Sequence, residues 1–174
     1  MIQRVTLEAN PVFRPVHESK CRYVVMRGSA GSGKSMDTAQ MYVLRLMMEP
    51  GRNLLCVRKT EESNRASTFA ELSAAVSRLG VGGLWESTMA PLSMRCRLNG
   101  NAVLFRGLSD DRQRERLKSI TFSSGKLTDV WIEEATELEA NDLEIIDDRL
   151  RGRLPEGLFY QIKLTFNPVS ANHW

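Results

Sequence analysis

Apolar positions along the chain come in short runs whose spacing alternates between the strand and helix periods. Tyr23-Val24-Val25-Met26 is a compact apolar run; glycine-rich residues follow it, and then a stretch from Lys34 to Met48 that is apolar nearly all round. That stretch predicts a helix buried against a sheet, closed by Pro50-Gly51. Leu54-Leu55-Cys56-Val57 predicts a buried strand with Arg58 and Lys59 at its carboxyl end. From Glu61 to Leu79 the apolar residues Phe69, Leu72, Val76 and Leu79 recur at spacings of 3, 4 and 3, an amphipathic helix stopped at Gly80. Ser93 to Leu98 and Ala102 to Phe105 flank Asn99-Gly100, which predicts a hairpin inserted at the edge of the core sheet. Val130-Trp131-Ile132 and Tyr160 to Thr165 predict two more strands. Between them Leu143, Ile146 and Leu150 mark a helix that Asn141 and Glu144 begin with a capping-box pattern and Gly152 ends. Upstream of all these, Asn10-Pro11-Val12-Phe13-Arg14-Pro15 carries two prolines and predicts an extended lead-in.

Strands alternating with helices predict a three-layer α/β domain with a mainly parallel sheet. The 174 residues suit one domain with a substantial core, and 42% hydrophobic with 26% charged residues is ordinary for a globular protein. A net charge of +3 neither demands nor excludes a nucleic-acid partner. Cys21, Cys56 and Cys96 are odd in number and lack metal-ligand spacing, which reads as reduced thiols of an intracellular protein. No apolar run approaches the ~18 residues of a membrane span, so the expected location is the cytoplasm.

The chemistry concentrates at the first strand. Gly28-Ser29-Ala30-Gly31-Ser32-Gly33-Lys34-Ser35 fits the phosphate-loop pattern G-x-x-x-x-G-K-[ST] between a predicted strand and a predicted helix. Gly28, Gly31 and Gly33 permit positive φ and close approach to a ligand, so that loop amides surround a phosphate at the positive end of the helix. Lys34 would reach the β- and γ-phosphates of ATP, and the Ser35 hydroxyl would take one position on Mg²⁺. Phe13, just upstream, either packs near the adenine or covers a sheet edge.

The second acidic signal is Glu133-Glu134, directly after Val130-Trp131-Ile132. An acid at the end of such a strand holds the Mg²⁺ water shell, and a second acid beside it can deprotonate an attacking water. Glu133 is thus read as the metal-side acid and Glu134 as the catalytic base. Asn167, in Thr165-Phe166-Asn167-Pro168, would hydrogen-bond the γ-phosphate or the water, or simply mark a turn. Arg58 and Lys59 are candidates for nucleotide or DNA contact, or for plain solvent exposure. Asp110 to Lys118 is a mixed-charge run, either a solvated helix face or an element that meets phosphate backbone or a neighbouring subunit. Arg149, Arg151 and Arg153 crowd a predicted helix end; they either complement its dipole or present an arginine finger to the next subunit of a ring. A helicase-like remodelling ATPase and a nucleotide-gated assembly module are the rival readings.

Taken together, these pieces resemble the large subunit of tailed-phage terminases, most nearly the PBSX-like group. The matching residues are Asn10 to Pro15, Gly28 to Ser35, Val57 to Thr60, Leu98 to Gly100, Phe105 to Asp110, Lys118-Ser119, Trp131 to Ala135, Leu164 to Pro168 and His173-Trp174. The resemblance implies an additional-strand P-loop ATPase core. It implies Lys34 and Ser35 on phosphate and Mg²⁺, Glu133 and Glu134 in the roles above, and Thr165 to Asn167 coupling hydrolysis to movement. It further implies a ring of subunits that drives double-stranded viral DNA into a procapsid, with a terminase small subunit and a portal protein as partners in the bacterial host cytoplasm. Three departures qualify the transfer. Ser29 and Ala30 stand where many relatives carry a loop arginine, which leaves Arg27, Arg149, Arg151 and Arg153 as possible fingers. Glu133 stands where many relatives have aspartate. Clustered nuclease acids are absent from residues 1–174, so the expectation is a single ATPase domain without nuclease activity.

Overall fold

A computed structural model of the chain describes residues 5–7 and 9–168, so His173-Trp174 lies outside the described residues. The Pro11-Pro15 segment is helical, not extended as the prolines suggested. A 3₁₀ turn, Pro11–Phe13, is capped by Asn10, whose Oδ1 accepts from Val12 N–H at 3.0 Å, and α1 (Arg14–Glu18) follows. Both prolines sit in a first turn, where the missing N–H has no intrahelical partner to lose.

Strand β1 (Tyr23–Arg27) leads through the phosphate loop into α2 (Lys34–Met48), and β2 (Arg52–Arg58) follows. The predicted helix over 61–79 is present but interrupted: α3 (Glu61–Asn64) passes through a π turn (Arg65–Phe69) into α4 (Ala70–Arg78). Thr68 Oγ1 bonds Asn64 O at 3.2 Å and Asn64 Oδ1 at 2.8 Å within that turn, a side-chain diversion of the kind that bends helices. Next come β3 (Trp85–Met89), β4 (Leu92–Cys96), β5 (Ala102–Gly107), α5 (Asp111–Lys118), β6 (Lys126–Glu133), α6 (Ala140–Arg149) and β7 (Gln161–Phe166).

One seven-stranded sheet runs β1-β7-β6-β2-β5-β4-β3. The pairs from β1 through β5 are parallel, so their carboxyl ends share one edge. The hairpin expected at Asn99-Gly100 forms, but β5 is a core strand, parallel to β2, and not part of an insertion. The antiparallel extension is β4 with β3, and β3 escaped notice because only Trp85 of its five residues is buried. The capping box of α6 is Glu139 with Asp142, not Asn141 with Glu144: Glu139 N–H donates to Asp142 Oδ2 at 2.9 Å, and the helix starts at Ala140.

Helices cover both faces. Tyr42, Val43 and Leu46 of α2 and Leu72 and Ala75 of α4 meet Leu54, Cys56, Phe105 and Trp131 on one side. Leu117 of α5 and Ile146 of α6 meet Leu55, Val57, Val130, Ile132 and Leu164 on the other. Truncating a fully buried leucine such as Leu46 to alanine in such a layer costs about 2–5 kcal/mol. At the amino edge of the sheet, Arg52 Nη1 donates to Asp129 Oδ2 at 2.6 Å and Arg45 Nη1 to Gln161 Oε1 at 3.0 Å, with the Phe159 ring against both guanidinium groups. That cluster ties α2, β2, β6 and β7 together far from the carboxyl edge. No described helix is long and apolar enough to cross a membrane.

Candidate functional site at the carboxyl edge

The phosphate loop bridges β1 and α2. Gly31 (φ 74°) and Gly33 (φ 84°) occupy left-handed backbone, which glycine adopts without strain. Gly28 is not among the positive-φ residues, so its requirement is space: a Cβ there would stand 3.3 Å from Ser32 Oγ and 3.6 Å from Lys34 Nζ. Gly28 N–H donates to Phe166 O at 3.3 Å, which anchors the loop to the end of β7. Phe13 is buried with Val24 and Met26, and its ring would lie 3.7 Å from a Cβ on Gly33. It supports the back of the loop, which favours its structural reading over contact with adenine.

Lys34 is 9% exposed. Its ammonium donates to Gly28 O (2.7 Å), Ser29 O (3.0 Å), Ser32 Oγ (3.0 Å) and Asn167 Oδ1 (3.2 Å). The other end of the Asn167 carboxamide donates to Glu134 Oε1 at 3.3 Å. A continuous polar relay therefore runs from Lys34 through Asn167 to Glu134, although these residues are widely separated in sequence. The relay exists because β7 lies between β1 and β6, with Thr165 in register with both Met26 and Glu133. Trp131 Nε1 donates to Thr165 Oγ1 at 2.9 Å and pins β7 to β6.

Glu134 has φ 48° and ψ 53°, the one non-glycine residue with positive φ among the described residues. Left-handed backbone at a glutamate costs about 1–2 kcal/mol and is retained where the surroundings impose it. The turn redirects the chain after β6, so that Glu133 and Glu134 both reach the cleft. That cleft, about 380 Å³, is lined by Ala30 to Met36, Glu71, Glu133, Glu134 and Thr165 to Asn167. Glu71 of α4 was not anticipated; a glutamate on an amphipathic helix carries no local signal of such a position.

Arg58 does not line the cleft. It stands behind the acids, with Nη1 bonded to Glu133 Oε2 (3.1 Å) and Ser67 Oγ (2.8 Å) and with its fork on Glu137 (2.9 and 3.1 Å). Burial opposes the charge of this guanidinium, but Glu137 and Glu133 outweigh it and raise its pKa above the usual value. Arg27 is exposed at the end of β1. Arg149, Arg151 and Arg153 lie by the start of β6, where Lys126 Nζ donates to Arg153 O at 3.1 Å. They are therefore at the amino edge of the sheet, away from this chain's own phosphate loop.

The family model for phage terminase large subunit matches residues 20–174. The chain belongs to the phage terminase large-subunit family. It is 33% identical over 159 residues to the terminase large subunit of Bacillus phage SPP1, an overlap of 90% of this chain and 37% of that one. It is 30% identical over 171 residues to the PBSX phage terminase large subunit of Bacillus subtilis (strain 168), covering 98% of this chain and 37% of that one. This terminase chain thus spans 37% of the length of both curated relatives. Among solved structures, the large terminase of a thermophilic bacteriophage superposes with a TM-score of 0.72 at 17% identity, covering 94% of this chain and 38% of that one. The same phage protein has been solved with ADP and with ATP-γ-S, and these superpose with TM-scores of 0.63 and 0.60. The fold is that of a three-layer P-loop NTPase of the additional-strand type, with β7 as the added strand between β1 and β6.

Proposed function

We propose that the chain binds ATP with Mg²⁺ and hydrolyses it. The observation that carries this reading is the Lys34–Asn167–Glu134 relay across the mouth of the phosphate loop. The amides of Gly31 to Lys34 would hold the β-phosphate at the start of α2. Lys34 would exchange its loop acceptors for β- and γ-phosphate oxygens and balance charge on the transferring phosphoryl group.

The hydroxyl of Ser35 and the carboxylate of Glu133 are hard oxygen donors facing one cleft, the kind that Mg²⁺ takes together with phosphate oxygens. When bound between Ser35 and Glu133, Mg²⁺ would supply positive charge that offsets the charge of the phosphates. Glu134 accepts the proton of the attacking water as the water oxygen bonds to the γ-phosphorus and the bond to the β-bridging oxygen breaks. Asn167 orients the Glu134 carboxylate and, through its other end, registers Lys34. Gly28, Ser29, Ala30 and Ser32 shape the loop around the phosphates, and Arg58 acts on the nucleotide only through Glu133.

The wider role proposed is the one that the terminase resemblance implies: hydrolysis that moves double-stranded DNA into a procapsid, in a ring of such subunits with a small subunit and portal protein, in the host cytoplasm. The similarity to the bacteriophage Phi-29 viral genome packaging motor assembly, with a TM-score of 0.58, supports the fold side of that reading. The decisive experiment is ATP turnover with Mg²⁺, with and without duplex DNA, beside Glu134→Gln. Loss of turnover with ATP binding retained is the expected result. Undiminished turnover in Glu134→Gln would overturn the assignment.

A further inference from the structure

The face of the sheet opposite α2 and α4 carries a trough that shares no lining residue with the nucleotide cleft. Three clefts open on either side of the segment around Thr121, which lines all of them; Ile120, Leu104 and Phe122 each join two. Their walls bring together Arg106 and Arg116, then Arg95, then Lys126, Arg149 and Arg151. Only Glu61 and Glu86 oppose them, and Glu86 already faces Arg97 at 3.3 Å.

The cations of the trough differ from eight arginines elsewhere in the molecule, although Arg27, Arg65, Arg112 and Arg153 outside it likewise have no acidic partner among the described residues. Arg14, Arg22, Arg45, Arg52, Arg58, Arg78, Arg97 and Arg114 all sit in ion pairs. Among the described residues, none of the trough cations has an acidic partner; they donate only to neutral oxygens. Arg106 Nη1 bonds Phe105 O, Arg95 bonds Ser123 Oγ, Lys126 bonds Arg153 O and Arg149 bonds Ile120 O. The Nε of Arg149 is buried and has no hydrogen-bond acceptor. Positive charge is therefore left uncompensated along one continuous surface, which raises the local potential and attracts anions.

The spacing selects the kind of anion. Arg95 pairs in register with Ala102, and Arg106 is four residues further along β5 on the same face. At ~3.3 Å per residue and ~4.8 Å between strands, their backbones are about 14 Å apart. With Arg116, Lys126, Arg149 and Arg151 the cations extend over three adjoining clefts, so an extended phosphate backbone can meet them in succession, as a single phosphate cannot meet them all. Hydroxyls of Thr88, Ser93, Ser119 and Thr121 line the same walls and add the neutral donors typical of backbone contacts.

We propose that this trough is the surface on which the chain holds the phosphate backbone of double-stranded DNA, the identity of the polyanion resting on the motor reading above. The test is duplex binding by fluorescence anisotropy across a salt series, with Arg95→Gln/Arg106→Gln/Arg116→Gln beside wild type. Loss of three phosphate contacts should lower the slope of log affinity against log salt by about 2.7 and weaken binding at 0.1 M salt at least ~10-fold. The double variant Arg95→Gln/Arg116→Gln, at exposed positions, guards against misfolding through the half-buried Arg106, and its slope should drop by about 1.8. DNA-independent ATP turnover should stay at the wild-type rate in both variants. A charge-matched control, Arg14→Gln/Lys20→Gln/Arg78→Gln, should bind as wild type. Equal loss in that control, no duplex binding by an ATP-hydrolysing wild type, or capture by anionic lipid vesicles in place of duplex would each overturn the proposal. The last two leave the hydrolytic assignment standing.

Discussion

Arg58 Nη1 stands 3.1 Å from Glu133 Oε2, so the acid assigned to the metal side of the cleft is held by a cation of its own chain. Their side chains are 12% and 9% exposed. Removing one member of so enclosed a pair leaves the other without compensation. Arg58→Ala should therefore destabilise the fold by about 3 kcal/mol, and Arg58→Lys should recover only part of that because it lacks the fork that spans Glu133 and Glu137. Urea midpoints at constant m-value would check this; an unchanged midpoint in Arg58→Ala would show the network to be energetically idle.

Asn167→Ala breaks the link between Lys34 and Glu134 and leaves both side chains in place. The expected outcome is a fall in kcat of roughly 10²-fold, as for loss of one positioned donor, with ATP affinity within about threefold of wild type. Steady-state kinetics beside equilibrium ATP titration separate the two. A parallel loss of affinity would move Asn167 to ground-state binding.

Lys34→Ala removes the cation that the loop encloses. Nucleotide binding should be abolished, as read by titration with ATP-γ-S. Retained affinity would sink the phosphate-loop assignment.

Lys163 supplies a pH signature. It is fully buried on β7, with Nζ 3.0 Å from Met41 Sδ and 5.2 Å from the Tyr42 ring, and burial lowers its pKa to about 7. The unfolded chain keeps this proton up to a pKa of ~10.4. Between those values the unfolded state binds more protons, so stability rises with pH. From pH 7 to 8.5 the gain should be about 1.5 kcal/mol. Lys163→Met should be more stable at pH 7 and should lose this rise. Melts of the two proteins at both pH values give the difference directly; parallel pH curves would exclude a titrating Lys163.

Much of the scaffold was readable from local pattern. The glycines at positions 28, 31 and 33, the apolar run to Met48 and the buried strands ending in Arg58, Glu133 and Phe166 all announce themselves within a few residues. What escaped depends on the third dimension. β3 is polar on all but one position, so it has no alternation to detect. The prolines at 11 and 15 argue against a long helix but are compatible with first turns. The side chains of Arg58 and Glu133 meet only because β2 and β6 are neighbours, a fact of strand order that no single-segment pattern contains. The same holds for Glu71, which lines the cleft from α4 just after the π turn.

The position of β7 has a mechanical corollary. Hydrogen-bonded to β1 on one side and β6 on the other, and tied by Trp131 to Thr165, it behaves as a fixed rail. Sliding it would break two ladders at once. Asn167, one residue past its end, can respond to a phosphate by turning its carboxamide while the rail stays still. Such torsions relax in picoseconds to nanoseconds when unhindered, far faster than catalytic turnover. In the proposed hydrolytic cycle, once its bonds to Lys34 and Glu134 are released, a turn of the Asn167 carboxamide would not be the slow event, and the pace would be set by chemistry, by product departure or by the bodies that the rail supports.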